Sequence, residues 1–163
     1  EEHAERLAEL STLLGEELAL PQKSIDNLKL VSMLHDIGKV GIEDSILKKN
    51  GPLTETEWVE MRKHPEIGYR IAMSSSELTP IAPFILYHHE RWDGKGYPAG
   101  LAGEKIPLLS RILSIADAYD AMTNDRTYRK ALPKEKAINE LKKNSGTQFD
   151  PYLANTFISI LTR

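Results

Sequence analysis

Apolar residues recur along this chain with the spacing of three and four that places them on one face of an α-helix. Near the start, Leu7, Leu10 and Leu14 repeat in this way, and a second group repeats between Ile25 and Leu34. The alternation of apolar and polar residues that is typical of a half-buried strand is not sustained over any comparable length. The pattern therefore predicts helices almost throughout.

Start signals divide the rest of the chain into further helices. After Pro52, Thr54 and Glu57 have the spacing of a capping box, which predicts a helix continuing through Met61. Proline suits a first helical turn because its missing N–H would have no partner there. Four more helices are predicted to begin near a proline, over residues 80–87, 107–122, 133–141 and 151–161.

Residues 91–106 are the one long stretch without helical spacing, and their glycines leave room for at most a short hairpin. Nothing repeats, and no low-complexity linker divides the chain. We therefore expect a single all-α domain over residues 1–163, with about seven helices and one glycine-rich loop. Because the chain opens inside a helical pattern at Glu1, we also expect that this domain comes from a larger regulatory protein.

Composition and charge narrow the classes of function. A net charge of -3 over 163 residues argues against a basic surface for polymeric nucleic acid, although a small phosphate ligand needs only a local cluster of cations. Cysteine is absent, so a metal ion would be bound by His, Asp and Glu, which suits Mn, Fe, Zn or Mg. No apolar run approaches the length that spans a bilayer, and the start lacks a signal-peptide pattern, so we expect a cytoplasmic domain.

Histidines beside acids and apolar segments are the main candidate chemistry. His35 and Asp36 end an apolar helix, where the aspartate is placed to bridge two metal ions; the alternative is a plain helix end capped by Gly38. His88 and His89 follow another apolar run. Taken one at a time, the five histidines are also compatible with structural or surface roles: His3, His35, His64, His88 and His89.

Asp117 lies on a segment that is apolar on most sides. Burying an ionised carboxylate without a partner is costly, so it needs either a metal ion or a salt bridge to an arginine such as Arg111. Asp120 shares its helix face and is placed to orient a ligand. Five imidazoles and two or three acids, without cysteine, are together typical of a two- or three-metal hydrolytic centre.

Cations near these groups suit a phosphate ligand. Lys39 follows Asp36 by one turn, and Arg126 and Arg129 follow the segment of Asp117, where planar guanidinium groups would bind phosphate through two hydrogen bonds. The alternative is that helix-end dipoles alone favour these cations. The loop "DGKGYP" lacks the spacing of a P-loop; either its glycines and Tyr97 approach an anion or it is a surface turn.

Read together, four segments resemble the HD-GYP family, a branch of the HD-domain phosphohydrolases: "HDIGK" (35–39), "HHERWDGKGYP" (88–98), "IADAYDAMTNDRTYR" (115–129) and "GTQFDP" (146–151). The resemblance covers essentially the whole chain. Family members are bacterial phosphodiesterases that degrade cyclic di-GMP, often as output modules behind receiver or sensory domains. The resemblance therefore implies an HD-domain helical bundle, a cyclic dinucleotide substrate, an N-terminal sensory or receiver domain as partner, and a homodimer as a further expectation.

The resemblance also implies roles position by position. Asp36 would bridge two divalent ions, iron or manganese, and with Lys39 carry catalysis. Because His3 matches a histidine that can bind an additional ion, a third ion is the alternative. Substrate phosphates would be contacted by Lys39, Tyr97, Arg126 and Arg129. The implied metal ligands are His3, His35, Asp36, His64, His88, His89 and Asp117.

The function expected from the resemblance is hydrolysis of cyclic di-GMP through a metal-bridging hydroxide, either to pGpG alone or onward to GMP. Two other interpretations remain: an HD phosphohydrolase acting on another nucleotide, such as cyclic GMP-AMP, and a catalytically silent module that binds a dinucleotide or a protein. The complete ligand set argues against the silent module. The first two interpretations need a panel of nucleotides to separate them, because the motifs do not specify a base.

Overall fold

Helices form the scaffold of the chain. The structure is a computed structural model that describes residues 2–126 and 129–163. Within these residues it contains nine α-helices, of which seven have seven residues or more, so the prediction of an all-α fold with about seven helices is confirmed. None of the described helices is long and apolar enough to cross a membrane. The helices are α1 (Glu2–Glu17), α2 (Gln22–Leu34), α3 (Asp44–Leu47), α4 (Glu55–Met61), α5 (His64–Met73), α6 (Ala82–Leu86), α7 (Leu108–Thr123), α8 (Lys134–Lys143) and α9 (Pro151–Leu161), with 3-10 turns at Ile37–Gly41, Thr79–Ile81 and Gly103–Lys105.

Two of the predicted helix start signals are present in the structure, and a third predicted helix is shorter than expected. The capping box of α4 forms, with the Thr54 hydroxyl accepting from the Glu57 N–H and the Glu57 carboxylate accepting from the Thr54 N–H. Pro151 occupies the first turn of α9, and the carboxylate of Asp150 caps that helix. The segment predicted over residues 80–87 is shorter than expected, because a 3-10 turn precedes α6.

Helix α7 lies at the centre of the hydrophobic core. Its Ile112 packs in a cluster with Leu14 of α1 and Phe157 of α9. Its Leu113 packs in a second cluster with Leu7 of α1 and Ile85 of α6, and all of these side chains are fully buried. Burial of a side chain of this size stabilises the fold by about 1.5–3 kcal/mol. The core therefore fixes α1 against α7, the two helices that carry His3 and Asp117.

Gly38 allows the 3-10 turn Ile37–Gly41 to pack closely against α5. A Cβ atom at Gly38 would lie 1.8 Å from the His64 carbonyl oxygen and 2.5 Å from the Gly68 nitrogen. The interpretation of Gly38 as a helix-end cap is therefore wrong. Gly38 lacks the positive φ that a glycine cap adopts, and glycine is needed here because no side chain would fit. This contact brings the start of α5 next to Asp36.

The loop over residues 91–106 is shaped by a buried acid. The carboxylate of Glu90 accepts hydrogen bonds from the N–H groups of Ala99 (2.8 Å) and Leu101 (2.7 Å). The peptide between Tyr97 and Pro98 is cis. The hairpin considered for this loop is wrong: the described chain has isolated bridges only elsewhere, at Arg126–Arg129 and Ser145–Phe149, because Glu90 folds the loop back on itself.

Candidate metal centre

Five imidazoles and one carboxylate that are distant in the sequence converge into two groups. The His3 group contains His3 at the start of α1, His35 at the end of α2 and Asp117 in α7. The His64 group contains His64 at the start of α5 with His88 and His89 after α6. Within each group, one ligand atom per residue lies within 4.8 Å of the others.

Asp36 connects the two groups through its two carboxylate oxygens. Its Oδ2 lies 3.2 Å from Nε2 of His35, in the His3 group, and its Oδ1 lies 3.9 Å from Nδ1 of His64, in the His64 group. These contacts place one carboxylate beside both sets of nitrogen ligands. A carboxylate in this position is suited to binding two ions at once.

Hydrogen bonds to backbone carbonyl groups fix the tautomers of two histidines. Nδ1 of His35 donates to the Ser32 carbonyl (2.9 Å) and Nδ1 of His88 donates to the Ile85 carbonyl (2.5 Å), since a carbonyl oxygen can only accept. Each Nε2 therefore carries a free lone pair. Among the described residues, Nε2 of His35, Nε2 of His88 and Nδ1 of His64 are buried without a hydrogen-bond partner. Such buried orphans need an explanation, and a metal ion supplies one.

Two distances between candidate ligand atoms fit the same explanation. Nε2 of His3 lies 3.0 Å from Oδ1 of Asp117, and Nε2 of His35 lies 3.2 Å from Oδ2 of Asp36. Ligands bound at roughly 2.0–2.2 Å from one ion stand about 3 Å apart, so these pairs have the separation of neighbouring ligands. The donor set of imidazole and carboxylate without thiolate suits divalent Mn, Fe or Zn.

Burial and charge set the protonation of the two groups differently. Burial lowers the pKa of His88 to about 3 and those of His64 and His89 to about 4. These imidazoles are therefore neutral at pH 7, which a metal ligand must be. Burial also lowers the pKa of His35, but the negative charge of the adjacent Asp36 carboxylate outweighs burial and raises it overall.

A buried acid and an arginine hold His3 in place. Oδ2 of Asp120 lies 2.5 Å from Nδ1 of His3, which leaves Nε2 facing Asp117. Asp120 in turn accepts from Nε of Arg6 (2.7 Å) and Nδ2 of Asn124 (3.0 Å). Asp120 thus lies where the sequence placed it, beside Asp117, and it contacts a histidine as expected.

The salt-bridge alternative for Asp117 is wrong. Arg111 donates to Asp150 (2.7 Å) and to the Ile106 carbonyl (2.9 Å), so its guanidinium is engaged elsewhere. The partner of Asp117 is His3, whose pKa the Asp117 hydrogen bond raises. Burial raises the pKa of Asp117, but His3 and the neighbouring charges outweigh burial and lower it overall.

A cavity of about 1020 Å³ opens onto both groups. Lys39 lines it, with Nζ 3.2 Å from Oδ2 of Asp36. Tyr97 also lines it and stacks on His89, with ring centroids 5.0 Å apart and an angle of 15° between the planes. Burial raises the pKa of Tyr97 to about 12, so its hydroxyl keeps its proton and can donate. Arg126 completes this side of the lining.

Comparison with known proteins identifies the family. Residues 1–153 match the model of the HD domain family. The chain belongs to the HD domain family. Over 160 residues it is 39% identical to a cyclic di-GMP phosphodiesterase of Thermotoga maritima, covering 97% of this chain and 44% of the relative. It is 41% identical to the cyclic di-GMP phosphodiesterase response regulator RpfG of Xanthomonas campestris, covering 90% and 39%.

Other similarities agree with the HD-GYP resemblance, which is confirmed. This HD domain is 40% identical to a 3'3'-cGAMP-specific phosphodiesterase of Vibrio cholerae, covering 96% of this chain and 30% of the relative. Bd1817, an HDG"Y"P protein from Bdellovibrio bacteriovorus, has the same fold, with a TM-score of 0.77 at 22% identity over 99% of this chain and 52% of that chain. The chain spans less than half the length of the curated relatives it matches.

One predicted phosphate contact of this HD domain lies outside the cavity. Arg129 is exposed, its guanidinium donates to the Ala121 carbonyl (2.9 Å), and it is not among the described lining residues. Its backbone N–H and carbonyl pair with those of Arg126. Arg129 therefore supports the segment that holds Arg126 at the cavity.

Sequence reasoning missed several residues of this HD domain that shape the site. Arg6 follows His3 by three residues on α1, a spacing that places both on one helix face and was a usable signal. Glu90 was read only as part of a motif, although it anchors the loop of Tyr97. Trp58 and Arg62 are not among the predicted site residues, and nothing in their local pattern indicates the aromatic contacts they make.

Proposed function

We propose that this HD domain hydrolyses cyclic di-GMP to pGpG and GMP with a pair of divalent metal ions. The observation that carries the proposal is the position of Asp36 between the two ligand groups, 3.2 Å from His35 and 3.9 Å from His64. The relatives named as cyclic di-GMP phosphodiesterases, at 39% and 41% identity, support the substrate.

The two groups divide the ligands between two ions. In this proposal the His3 group would hold one ion, the His64 group would hold the other, and Asp36 would supply a ligand oxygen to each. The membership of His3 in a compact group with His35 and Asp117 favours two ions over three. When bound, iron or manganese ions lower the pKa of water and neutralise charge on phosphoryl oxygens.

The surrounding side chains bind and orient the two phosphates. Lys39 stands beside Asp36 with three donors on its ammonium group, so it binds a phosphate oxygen next to the metal ligands. The protonated hydroxyl of Tyr97 donates to the same phosphate, and stacking on His89 fixes its ring. Arg126 binds the second phosphate with its planar fork of donors. Lys39 in particular stabilises the negative charge on the phosphoryl oxygens as water attacks phosphorus and the bond to the ribose 3′ oxygen breaks.

The test combines metal analysis with a timed cyclic di-GMP assay on protein purified without oxygen. We expect two metal ions per chain, and pGpG followed by GMP on chromatography. In Asp36→Asn the bridging charge is lost, so we expect fewer than two ions and a fall in kcat of about 100- to 1000-fold, the range for a lost electrostatic stabiliser. Asp26→Asn, on the exposed face of α2, is the matched control and should keep both properties. Full turnover by metal-analysed Asp36→Asn would refute the proposal.

A second candidate substrate is 3',3'-cyclic GMP-AMP. It is favoured by the 40% identity to a phosphodiesterase specific for that nucleotide. The catalytic groups described above would act on either substrate, because they face phosphates and not bases. Initial rates with both nucleotides and with cyclic di-AMP separate the two candidates.

We further infer the setting of the domain from its relatives. One relative is named as a response regulator, and the relatives are about twice as long as this chain or longer. These facts support a receiver or sensory domain as partner in a bacterial cytoplasmic protein. A homodimer follows from the resemblance alone. Size-exclusion chromatography with light scattering tests the dimer.

A further inference from the structure

The cavity has a second wall that takes no part in metal or phosphate binding. This wall comes from α3, α4 and the loop between them, and it carries apolar and aromatic side chains. Such surfaces suit the flat, apolar faces of an organic ligand, whereas phosphates need cations. The apolar and aromatic residues of this wall are Ile46, Leu47, Pro52, Leu53, Trp58 and Met61; Gly51 and Lys49, whose ammonium group is paired with Glu57, also line it.

Helix α4 gains little from the folded core. None of its residues is buried, although it carries Trp58, Val59 and Met61. Its first turn is held instead by the capping box and by an ion pair of 2.6 Å between Lys49 and Glu57. Trp58 is 43% exposed and faces the cavity. A large aromatic side chain left exposed beside a deep cavity is available to pack against a ligand.

Arg62 is exposed and is not among the described lining residues, but it contacts two aromatic rings that do line the cavity and so links this wall to the metal ligands. It follows Trp58 by four residues, and its Cζ lies 5.6 Å from the Trp58 ring centroid and 5.8 Å from that of Tyr97. Tyr97 stacks in turn on His89. In the described parts of the chain, no hydrogen bond or ion pair engages the Arg62 guanidinium, so its donors are available to a ligand.

We propose that Trp58 and Arg62 form the guanine-binding site of the domain: a base stacks on the Trp58 ring, and Arg62 donates two hydrogen bonds to its O6 and N7 atoms. This inference rests on the proposed function, and it names the part of the chain that selects the base. Aromatic rings hold bases by stacking without regard to their identity, so selectivity comes from the arginine. A paired contact from arginine to O6 and N7 is the commonest specific contact to guanine.

The site predicts an order of affinities among cyclic dinucleotides. Adenine presents a donor, its N6 amino group, where guanine presents O6, so the Arg62 fork loses one partner and meets a repelling N–H. Cyclic di-GMP should therefore bind more tightly than cyclic di-AMP by about 5- to 150-fold, the range for one such paired contact. Cyclic GMP-AMP, which has one guanine, should bind close to cyclic di-GMP.

Binding is measured on the metal-loaded chain by titration calorimetry, with slowly hydrolysed bis-phosphorothioate analogues of cyclic di-GMP and cyclic di-AMP. Trp58→Ala should weaken both analogues by about 5- to 150-fold, because stacking does not distinguish the bases. Arg62→Lys keeps the positive charge but not the planar fork, so it should remove most of the preference for guanine. Quenching of tryptophan fluorescence by the guanine analogue should be lost in Trp58→Phe, which keeps the aromatic ring and most of the affinity.

The matched control is Val59→Ala. Val59 is 56% exposed and follows Trp58 directly on the same helix, so its side chain points about 100° away around the helix and its replacement should change neither affinity nor preference. Equal affinities for the two analogues, or an unchanged preference in Arg62→Lys, would overturn the inference whatever the chain hydrolyses. If the unmodified chain binds the guanine analogue with an Arg62-dependent preference and yet turns over no cyclic dinucleotide, the inference stands and the proposed function fails.

Discussion

Nδ1 of His3 and Oδ2 of Asp120 lie 2.5 Å apart, although the two residues are 117 positions apart in the chain. This contact directs Nε2 of His3 toward Asp117. Asp120 therefore positions a candidate metal ligand and is not itself a candidate ligand. Acids that hold a metal-binding imidazole in this way typically contribute 10- to 100-fold to metal affinity.

Replacing Asp120 should therefore weaken one ion of the pair. In Asp120→Asn we expect about 10- to 100-fold lower affinity for one of the two ions, measured by metal titration of the apo-protein. The affinity of the second ion, held by the His64 group, should change little. Asp26→Asn serves again as the surface control. Two unchanged metal affinities in folded Asp120→Asn would show that His3 needs no positioning acid.

The close approach at Gly38 predicts a large difference between two neighbouring glycines. In Gly38→Ala the new Cβ meets backbone atoms of α5 that cannot move separately, so we expect a loss of about 3 kcal/mol or more in the free energy of unfolding. In Gly41→Ala the nearest atom is the end of the Ile67 side chain at 3.0 Å, which can rotate away. Urea denaturation of both variants measures the difference. Similar stabilities would contradict the packing of Ile37–Gly41 on α5.

The buried histidines predict that the metal-free protein is sensitive to acid. The pKa of His88 is about 3 in the folded chain, below its ordinary value of 6.5, so between these values the unfolded state binds a proton that the folded state does not. Stability is therefore lost as the pH falls below 6.5, with a slope of up to about 1.4 kcal/mol per pH unit from this group. His64 and His89, with pKa values of about 4, act in the same direction.

Histidines with raised pKa values do not mask this loss of stability in acid. The pKa values of His3 and His35 are raised, so their stabilising contribution is fully present below 6.5 and is lost only as the pH rises above that value. The lowered pKa of Asp117 matters only below about its ordinary value of 3.8. Urea denaturation of apo-protein between pH 6.5 and 4.5 measures the slope. A flat profile in this window would contradict burial of the three imidazoles in neutral form.

Glu90 predicts how the loop of Tyr97 is held. Glu90→Gln replaces one acceptor oxygen with an amide that faces a backbone N–H, so one of the two hydrogen bonds to Ala99 and Leu101 is lost. We expect at least about 10-fold faster amide exchange at these two residues and a raised KM, because the Tyr97 ring is less firmly placed. Glu104→Gln, on an exposed part of the same loop, is the control. Unchanged exchange at both amides would show that Glu90 does not anchor the loop.

Local signals in the sequence predict most of the scaffold. The capping box of α4 and the proline starts of α7, α8 and α9 depend on residues within one turn, so they are legible without a structure. The motif residues likewise indicate which side chains carry the chemistry. The helix beginning at His64 was not predicted, and His64 taken alone resembled a surface residue. It is only 2% exposed, because the missing side chain of Gly38 lets the 3-10 turn cover it.

Contacts between distant residues account for the rest. How separate helices pack determines that the two oxygens of Asp36 face different histidines. It also determines that Arg62 contacts the rings of both Trp58 and Tyr97. Composition and periodicity do not encode these distances. The same limit explains why the predicted phosphate contact of Arg129 is not found. The motif places Arg129 beside Arg126, but its guanidinium donates to the Ala121 carbonyl of α7.

His3 and Asp117 belong to one ligand group, so an ion bound there would also stabilise the folded chain. An ion bound there would act as a cross-link between α1 and α7 in the folded chain, and its binding free energy would add to the stability of the fold. Unfolding would then release the ion, so the melting temperature should rise with the concentration of free metal. Metal supply in the cell would thereby control the lifetime of the protein as well as its chemistry.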